Sequence, residues 1–200
     1  MYRAQRAHEE ALRRARDAGL GFYVPYALQA LANYAVDRLE LERATTLSEE
    51  ALLLFERRDD RWGILLCLER LTRIARLLGE RDRVATLARE TLSSRAIGSA
   101  PPVVYGFQNL AWVARVDALP ARAVRLLGAA DAIHQATGRR TPASVRQDQE
   151  TESTLLREAL GDAAFETAWN EGRAMSVDQA VRYALEEIDV KPGGPRAWPS

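Results

Sequence analysis

Residues 42–52 read ERATTLSEEAL, with Ala44 and Ala51 seven positions apart and Leu52 beside the second. The same spacing recurs about every 40 residues. One step back gives Ala4, Ala11 and Leu12 in RAQRAHEEAL; steps forward give Val84, Thr91 and Leu92 in RVATLARETL, then Ala123 and Ala130 in RAVRLLGAADA. Each segment except the first follows another helical stretch at a fixed offset. These are Leu28, Leu31 and Ala32 in ALQALANYAV; Leu68, Leu71 and Thr72 in CLERLTRIARLL; and Phe107, Leu110 and Ala111 in FQNLAWVARV. The pattern predicts an all-α chain built of helix pairs.

Antiparallel helices joined by a short turn approach closely only where side chains are small, so Ala or Thr marks the contact and Leu or Phe fills the flanks. If those contacts form, Leu at position 44 or 51 overpacks the seam at a cost of about 1–3 kcal/mol. The competing reading is a generic helical bundle, since an alanine-rich chain meets such spacings by coincidence.

Composition narrows the function classes. Twenty-eight basic and 28 acidic side chains balance, which gives no broad attraction to phosphate backbones, and nearly half the 200 residues are apolar, enough for a packed core. Cys67 is the only cysteine, and His8 and His134 the only histidines, so one chain assembles neither a disulfide framework nor a thiolate or imidazole zinc site. The charged start MYRAQRAHEEALRRAR lacks a signal peptide's apolar run, and charges interrupt every apolar stretch before it reaches a membrane span. The expectation is a soluble, cytoplasmic protein without cofactor or metal.

The helix-pair pattern resembles the tetratricopeptide repeat, best over residues 25–56. Leu28, Leu31 and Ala32 stand at the Trp, Leu and Gly places of that repeat's first helix, and Ala44, Ser48 and Ala51 in its second. Ala35 and Ser48 replace the aromatics, and the period near 40 exceeds the usual 34 or so. The polar ERRDDRWG (56–63) and SSRAIGSAPP (93–102) connections are expected to take up the excess as longer turns. The resemblance implies a solenoid over residues 1–140: an orphan helix at 1–19, then helix pairs at about 25–57, 61–96 and 101–138.

Beyond Gly138 the rhythm stops. TGRRTPASV (137–145) reads as a loop with Thr141 as helix cap and Pro142 at the first helical position. A long helix to Leu160 follows, ended by Gly161. A short one is capped by Asp162 and ended by Gly172, and a third opens at Ser176 with Gln179 at capping-box spacing and a Met175–Ala180 staple. Residues 141–188 are thus a helical cap, and 189–200 a flexible tail whose one sticky residue is Trp198. From RAVRLLGAADAIHQATG to LGDAAFETAWNEGRAMSVDQAVRYAL the chain looks like the end segment of bacterial regulators with tetratricopeptide-like C-terminal halves. These include LuxR-type transcription factors and related signal-transduction ATPases. The order LLGAAD, LGDAAF, AW-x-EGRAMS, A-x-x-YAL carries that likeness over residues 121–186.

In that family an ATPase module and a DNA-binding domain are usual. Here there is neither a phosphate-binding G-x-x-x-x-G-K-[ST] loop nor an evident recognition helix after residue 187. The resemblance therefore implies a sensor or scaffold piece separated from its output, its partners a protein or peptide, among them the missing ATPase or DNA-binding domains. The leading segment has no preceding helix, so its stripe of Ala4, Ala11 and Leu12 is expected to lie uncovered. Either upstream residues precede it, the preferred reading, or it self-associates, as a homodimer would.

No catalytic constellation emerges. Glu9 and Glu10, with Arg13 and Arg14 four positions on, and likewise Glu49 and Glu50, read as solvated helix pairing. His134 suits a helix C-terminus, His8 an inter-helix contact, and Ser153 and Ser176 have no histidine to activate them. Binding is the expected function, in a groove lined by first helices: Gln29, Asn33 and Asp37, then Glu69, Arg73 and Arg76, then Gln108, Trp112 and Arg115. Arg73, Arg76, Arg115 and Trp112 suit an acidic or aromatic-bearing peptide or small effector, unless internal ion pairs consume them. In tetratricopeptide proteins that hold a C-terminal carboxylate, lysines and asparagines form a clamp. Only Asn33 matches, so recognition of chaperone tails is not expected.

Overall fold

The structure, a computed structural model, describes residues 2–93, 100–137 and 143–186. Among them every regular element is an α-helix: α1 (Tyr2–Asp17), α2 (Val24–Asp37), α3 (Leu41–Glu56), α4 (Arg61–Leu78), α5 (Arg81–Ser93), α6 (Ala100–Val116), α7 (Pro120–Ala136), α8 (Ala143–Leu160), α9 (Asp162–Arg173) and α10 (Val177–Leu185). They pack as sequential hairpins, α2 on α3, α4 on α5 and α6 on α7, with α1 against α2. None of them is long and apolar enough to cross a membrane.

One turn geometry does most of the joining. The backbone N–H donors of Leu20, Glu40, Asp60, Glu80 and Leu119 bond the carbonyls of Ala15, Ala35, Phe55, Ala75 and Ala114, each five residues back, at 2.8–3.0 Å. Gly19, Leu39, Asp59, Gly79 and Ala118 supply the left-handed residue just before each donor. This closure satisfies carbonyls that a helix end otherwise leaves bare. The connections are therefore short, three residues (38–40) within the first pair and four (57–60) before the second, and over residues 24–80 the excess over a 34-residue period lies in the helices. The expected longer turn at ERRDDRWG is thus corrected, because Glu56 belongs to α3 and Arg61–Gly63 to α4. Most of SSRAIGSAPP, the Thr141–Pro142 cap and the Trp198 tail lie outside the described residues.

Most marker positions of the three helix pairs lie in the core. Leu28, Leu68 and Phe107 are fully buried, as are Ala44, Val84 and Ala123, and burying each large side chain contributes about 1.5–3 kcal/mol. Ser48, Thr72 and Thr91, the small polar residues at the seams, satisfy their hydroxyls by donating to the carbonyls of Ala44, Leu68 and Leu87 one turn back. A buried hydroxyl there costs little because its partner is built into its own helix.

The last three helices close the end. α9 packs directly along α7, α8 touches both, and α10 rests on α7 and α5. Ser176 and Gln179 form the capping box, and Met175 packs on the cluster that contains Ala180. Two assignments change. Gly161 is the N-cap of α9 with Asp162 in its first turn, and Gly172 sits inside α9, buried against α7, with Ala174 as the C-cap.

Candidate functional site

Consecutive first helices touch, α2 with α4 and α4 with α6, so they share a surface. The second helices are tied separately by a repeated ion pair, Glu9 to Arg43 at 3.1 Å and Glu49 to Arg83 at 2.7 Å, displaced by one period, with Arg16 to Glu50 beside them. Glu10 pairs with Arg14 four positions on, as the spacing predicts, and with Arg13 three on, whereas Glu9, Glu49 and Glu50, expected to pair along their own helices, form ion pairs with neighbouring helices. The longer bonds of Glu9 and Glu49 join residues 34 apart, beyond any helical periodicity.

The expected groove residues divide. Asn33, Asp37 and Arg73 are exposed, and Gln108 is half-buried. Gln29 is buried and donates to Cys67 Sγ (2.9 Å) and toward the Gly63 carbonyl (3.5 Å), so it seals the α2–α4 seam and does not line a groove. Arg115 donates to Glu152 Oε1 of α8 at 2.5 Å, with both side chains less than a fifth exposed. That internal pair consumes it. Arg76 reaches Asn109 Oδ1 (3.5 Å) and stands 5.6 Å over the Trp112 ring, tying α4 to α6. Trp112 itself packs partly into the core of α4, α5 and α6.

Between α4 and α6 lies a hollow of about 40 Å³ lined by Trp62, Leu65, Leu66, Glu69, Tyr105 and Asn109, among others. Burial lifts the Glu69 carboxyl above its usual range, against the hydrogen bond from Tyr105 and the charges of Arg70 and Arg73. Burial and the neighbouring Glu69 push the Tyr105 phenol up to about 12. Arg70, which sequence reasoning passed over, has its Nε buried with no acceptor among the described residues. Desolvation lowers its pKa, and leaving such a donor unpaired costs about 1–3 kcal/mol. Periodicity alone cannot flag it, because Arg70 lies just beside the outward row.

At the leading end, Ala11 is exposed, whereas its counterparts Ala51 and Ala130 are buried. Only the backbone of Ala4 is described. Leu12 departs from expectation: it is 8% exposed and belongs to the cluster with Leu28, Leu31 and Ala51, because it turns toward α2. Beside it, the α1–α2 turn carries an aromatic group that the repeat pattern did not reveal. Phe22 sits 5.7 Å from Tyr26, Tyr26 5.1 Å from Phe55, and the Tyr26 hydroxyl donates to Asp60. His8 packs 5.8 Å from the Tyr34 ring.

Comparison with known proteins sets this geometry in context. Over 144 residues, 70% of the chain, it is 32% identical to proteins named as HTH-type transcriptional regulators in two strains of Mycobacterium tuberculosis and in Mycobacterium bovis. The matched span is 16% of the length of those relatives. No family model matches the chain, and no solved structure matches it significantly. The chain is thus an all-α protein distantly related to a region of large bacterial regulators.

Proposed function

We propose that the chain is a non-catalytic interaction or sensor module, a tetratricopeptide-like solenoid from the C-terminal portion of a bacterial transcription or signalling regulator. It acts by holding a peptide, partner domain or effector on the face shared by α2, α4 and α6, and does not itself contact nucleic acid. The observation that carries this reading is that face. Three successive first helices touch in order, yet Asn33, Asp37 and Arg73 stay exposed on it, a polar surface that the core does not use. The similarity to HTH-type regulators supports the parent class. Selecting a random displayed-peptide library on the purified chain, then mapping the ligands by hydrogen exchange, tests it. Protection should fall on α2, α4 and α6; protection confined to the second helices, or no selected ligand, rejects the reading.

A second reading has its own observation, the exposure of Ala11 where the later copies are buried. Under it the module is a scaffold that self-associates through α1. Sedimentation should then show a concentration-dependent dimer that Ala11→Arg dissolves, and a monomer at all concentrations discards it. Leu12 is unsuitable for this test because it is core.

A further inference from the structure

Independently of the face shared by the first helices, we propose that the aromatic group at the α1–α2 turn is the contact through which two copies of the chain form a weak two-fold dimer. Phe22 and Tyr23 of one copy meet those of the other, inside a rim of Arg57, Asp59 and Arg61.

The fold itself makes little use of these rings. Phe22 and Tyr23 are each about three-fifths exposed, and Leu20 in the same turn about half. Tyr23 stands at the N-cap of α2 without a side-chain hydrogen bond to the helix, a place where Ser, Asp or Asn serves stability better. Tyr26 alone of the group packs inward, edge-on to the buried Phe55. Yet the turn is held in place. Arg58 donates to the carbonyls of Gly21 and Phe22 and covers the Phe22 ring at 5.5 Å, and Phe22 lies edge-to-face with Tyr23 at 5.4 Å. Aromatic side chains already fixed in solvent lose little freedom on association, and such residues anchor interfaces.

Size and charge select a second copy as the occupant. Residues 18–26, AGLGFYVPY, carry no charge. The exposed parts of Leu20, Phe22, Tyr23 and Tyr26 amount to roughly 400 Å². That is about half of the 800 Å² or so that each partner gives to a stable interface, so with its rim the patch suits a weak dimer. The charged stretch 57–61, RRDDR, borders it through Arg58 and through Asp60, which accepts from the Tyr26 hydroxyl. Arg57, Asp59 and Arg61 of that stretch are exposed and have no partner among the described residues. Two-fold symmetry sets a patch against its own copy, so a rim carrying both signs pairs arginine with aspartate across the axis. A uniformly acidic or basic partner would meet like charge at one of these positions. The balance of 28 basic and 28 acidic side chains adds no long-range repulsion between copies.

The test is sedimentation velocity on the whole chain from about 1 to 500 μM, the range in which a contact of this size populates a dimer. Phe22→Ser with Tyr23→Ser should weaken association at least about tenfold with unchanged helical circular dichroism, since neither ring belongs to the core. Arg57→Glu with Arg61→Glu should weaken it several-fold, and added salt should recover part of that loss while loosening the parent dimer. Ala11→Arg, on the exposed side of α1, should leave it unchanged. A monomer throughout the range overturns the proposal, as does a dimer indifferent to the Phe22–Tyr23 or Arg57–Arg61 changes, or one that Ala11→Arg dissolves. Peptide selection on α2, α4 and α6 requires neither ring, so that reading stands or falls on its own result.

Discussion

Gly128 of α7 and Gly172 of α9 lie against each other's helix backbones: a Cβ on Gly172 would strike the Arg125 carbonyl, and one on Gly128 the Trp169 carbonyl. Reciprocal glycines set how closely α9 approaches, and the cap depends on that approach. Alanine at an ordinary helical position is favoured over glycine by about 1 kcal/mol. Here Gly128→Ala or Gly172→Ala should instead lose about 1–3 kcal/mol in urea denaturation, because the backbone has no room to give.

The turns offer the opposite experiment. Leu39 (φ 58°) and Ala118 (φ 59°) hold the left-handed conformation that Gly79 (φ 71°) adopts at the same point of its own pair. An L side chain there costs roughly 1–2 kcal/mol. Leu39→Gly and Ala118→Gly should therefore be neutral or stabilising by up to about 1 kcal/mol, and Gly79→Ala destabilising by a similar amount, in thermal unfolding.

Arg115 and Glu152 pair between α6 and α8 with little exposure, so removing one partner strands the other. Glu152→Ala should cost about 1–3 kcal/mol, whereas the paired replacement Arg115→Met with Glu152→Leu should recover most of it. A double-mutant cycle by chemical denaturation reads the coupling. The exposed Glu49–Arg83 pair, treated the same way, should yield no more than about 1 kcal/mol.

Glu69 predicts a pH dependence. Burial raises its folded-state pKa above the ordinary 4.5, so between those values the folded chain binds more protons than the unfolded chain. Its contribution to stability is thus fully present below 4.5 and is lost as pH rises through the raised value. Glu69→Gln keeps an acceptor for the Tyr105 hydroxyl and removes the charge. The variant should melt higher than the parent at neutral pH, with the gap closing as pH falls toward 4.5; a gap independent of pH rejects the assignment.

At the other end of the cap, Ser176 and Gln179 close the start of α10 while Arg122 donates to the carbonyls of Tyr183, Ala184 and Glu186 at its finish. Ser176→Ala should cost about 1 kcal/mol. Hydrogen exchange should show the loss confined to α10 while α2–α5 keep their protection.

The helix pairs were legible because burial and spacing are local: Ala44, Val84 and Ala123 all reach full burial from a pattern visible in the chain. The same holds for the Ser176 capping box, which needs only four consecutive residues. Of the candidate groove, only the exposure of some residues was legible. Asn33, Asp37 and Arg73 point outward as their periodicity requires, but the fates of Gln29 and Arg115 depend on Cys67 and Glu152, neighbours about 40 residues away. Gly172 misled for a related reason, since glycine serves a helix end and a helix crossing alike, and only the partner backbone distinguishes them. Over residues 24–80 the longer period went to helices because short closures such as Asp60 to Phe55 use residue types that also look like loop.

The closures fall at Leu20, Glu40, Asp60 and Glu80, an even pace of 20 residues. The Glu9–Arg43 and Glu49–Arg83 clasps repeat at twice that interval. A gene with this construction can gain or lose Leu41 through Glu80 as a block, since the cut ends would meet in the geometry they left and Glu9 would find Arg83 where Arg43 had stood. The number of hairpins is then separable from the geometry of each joint.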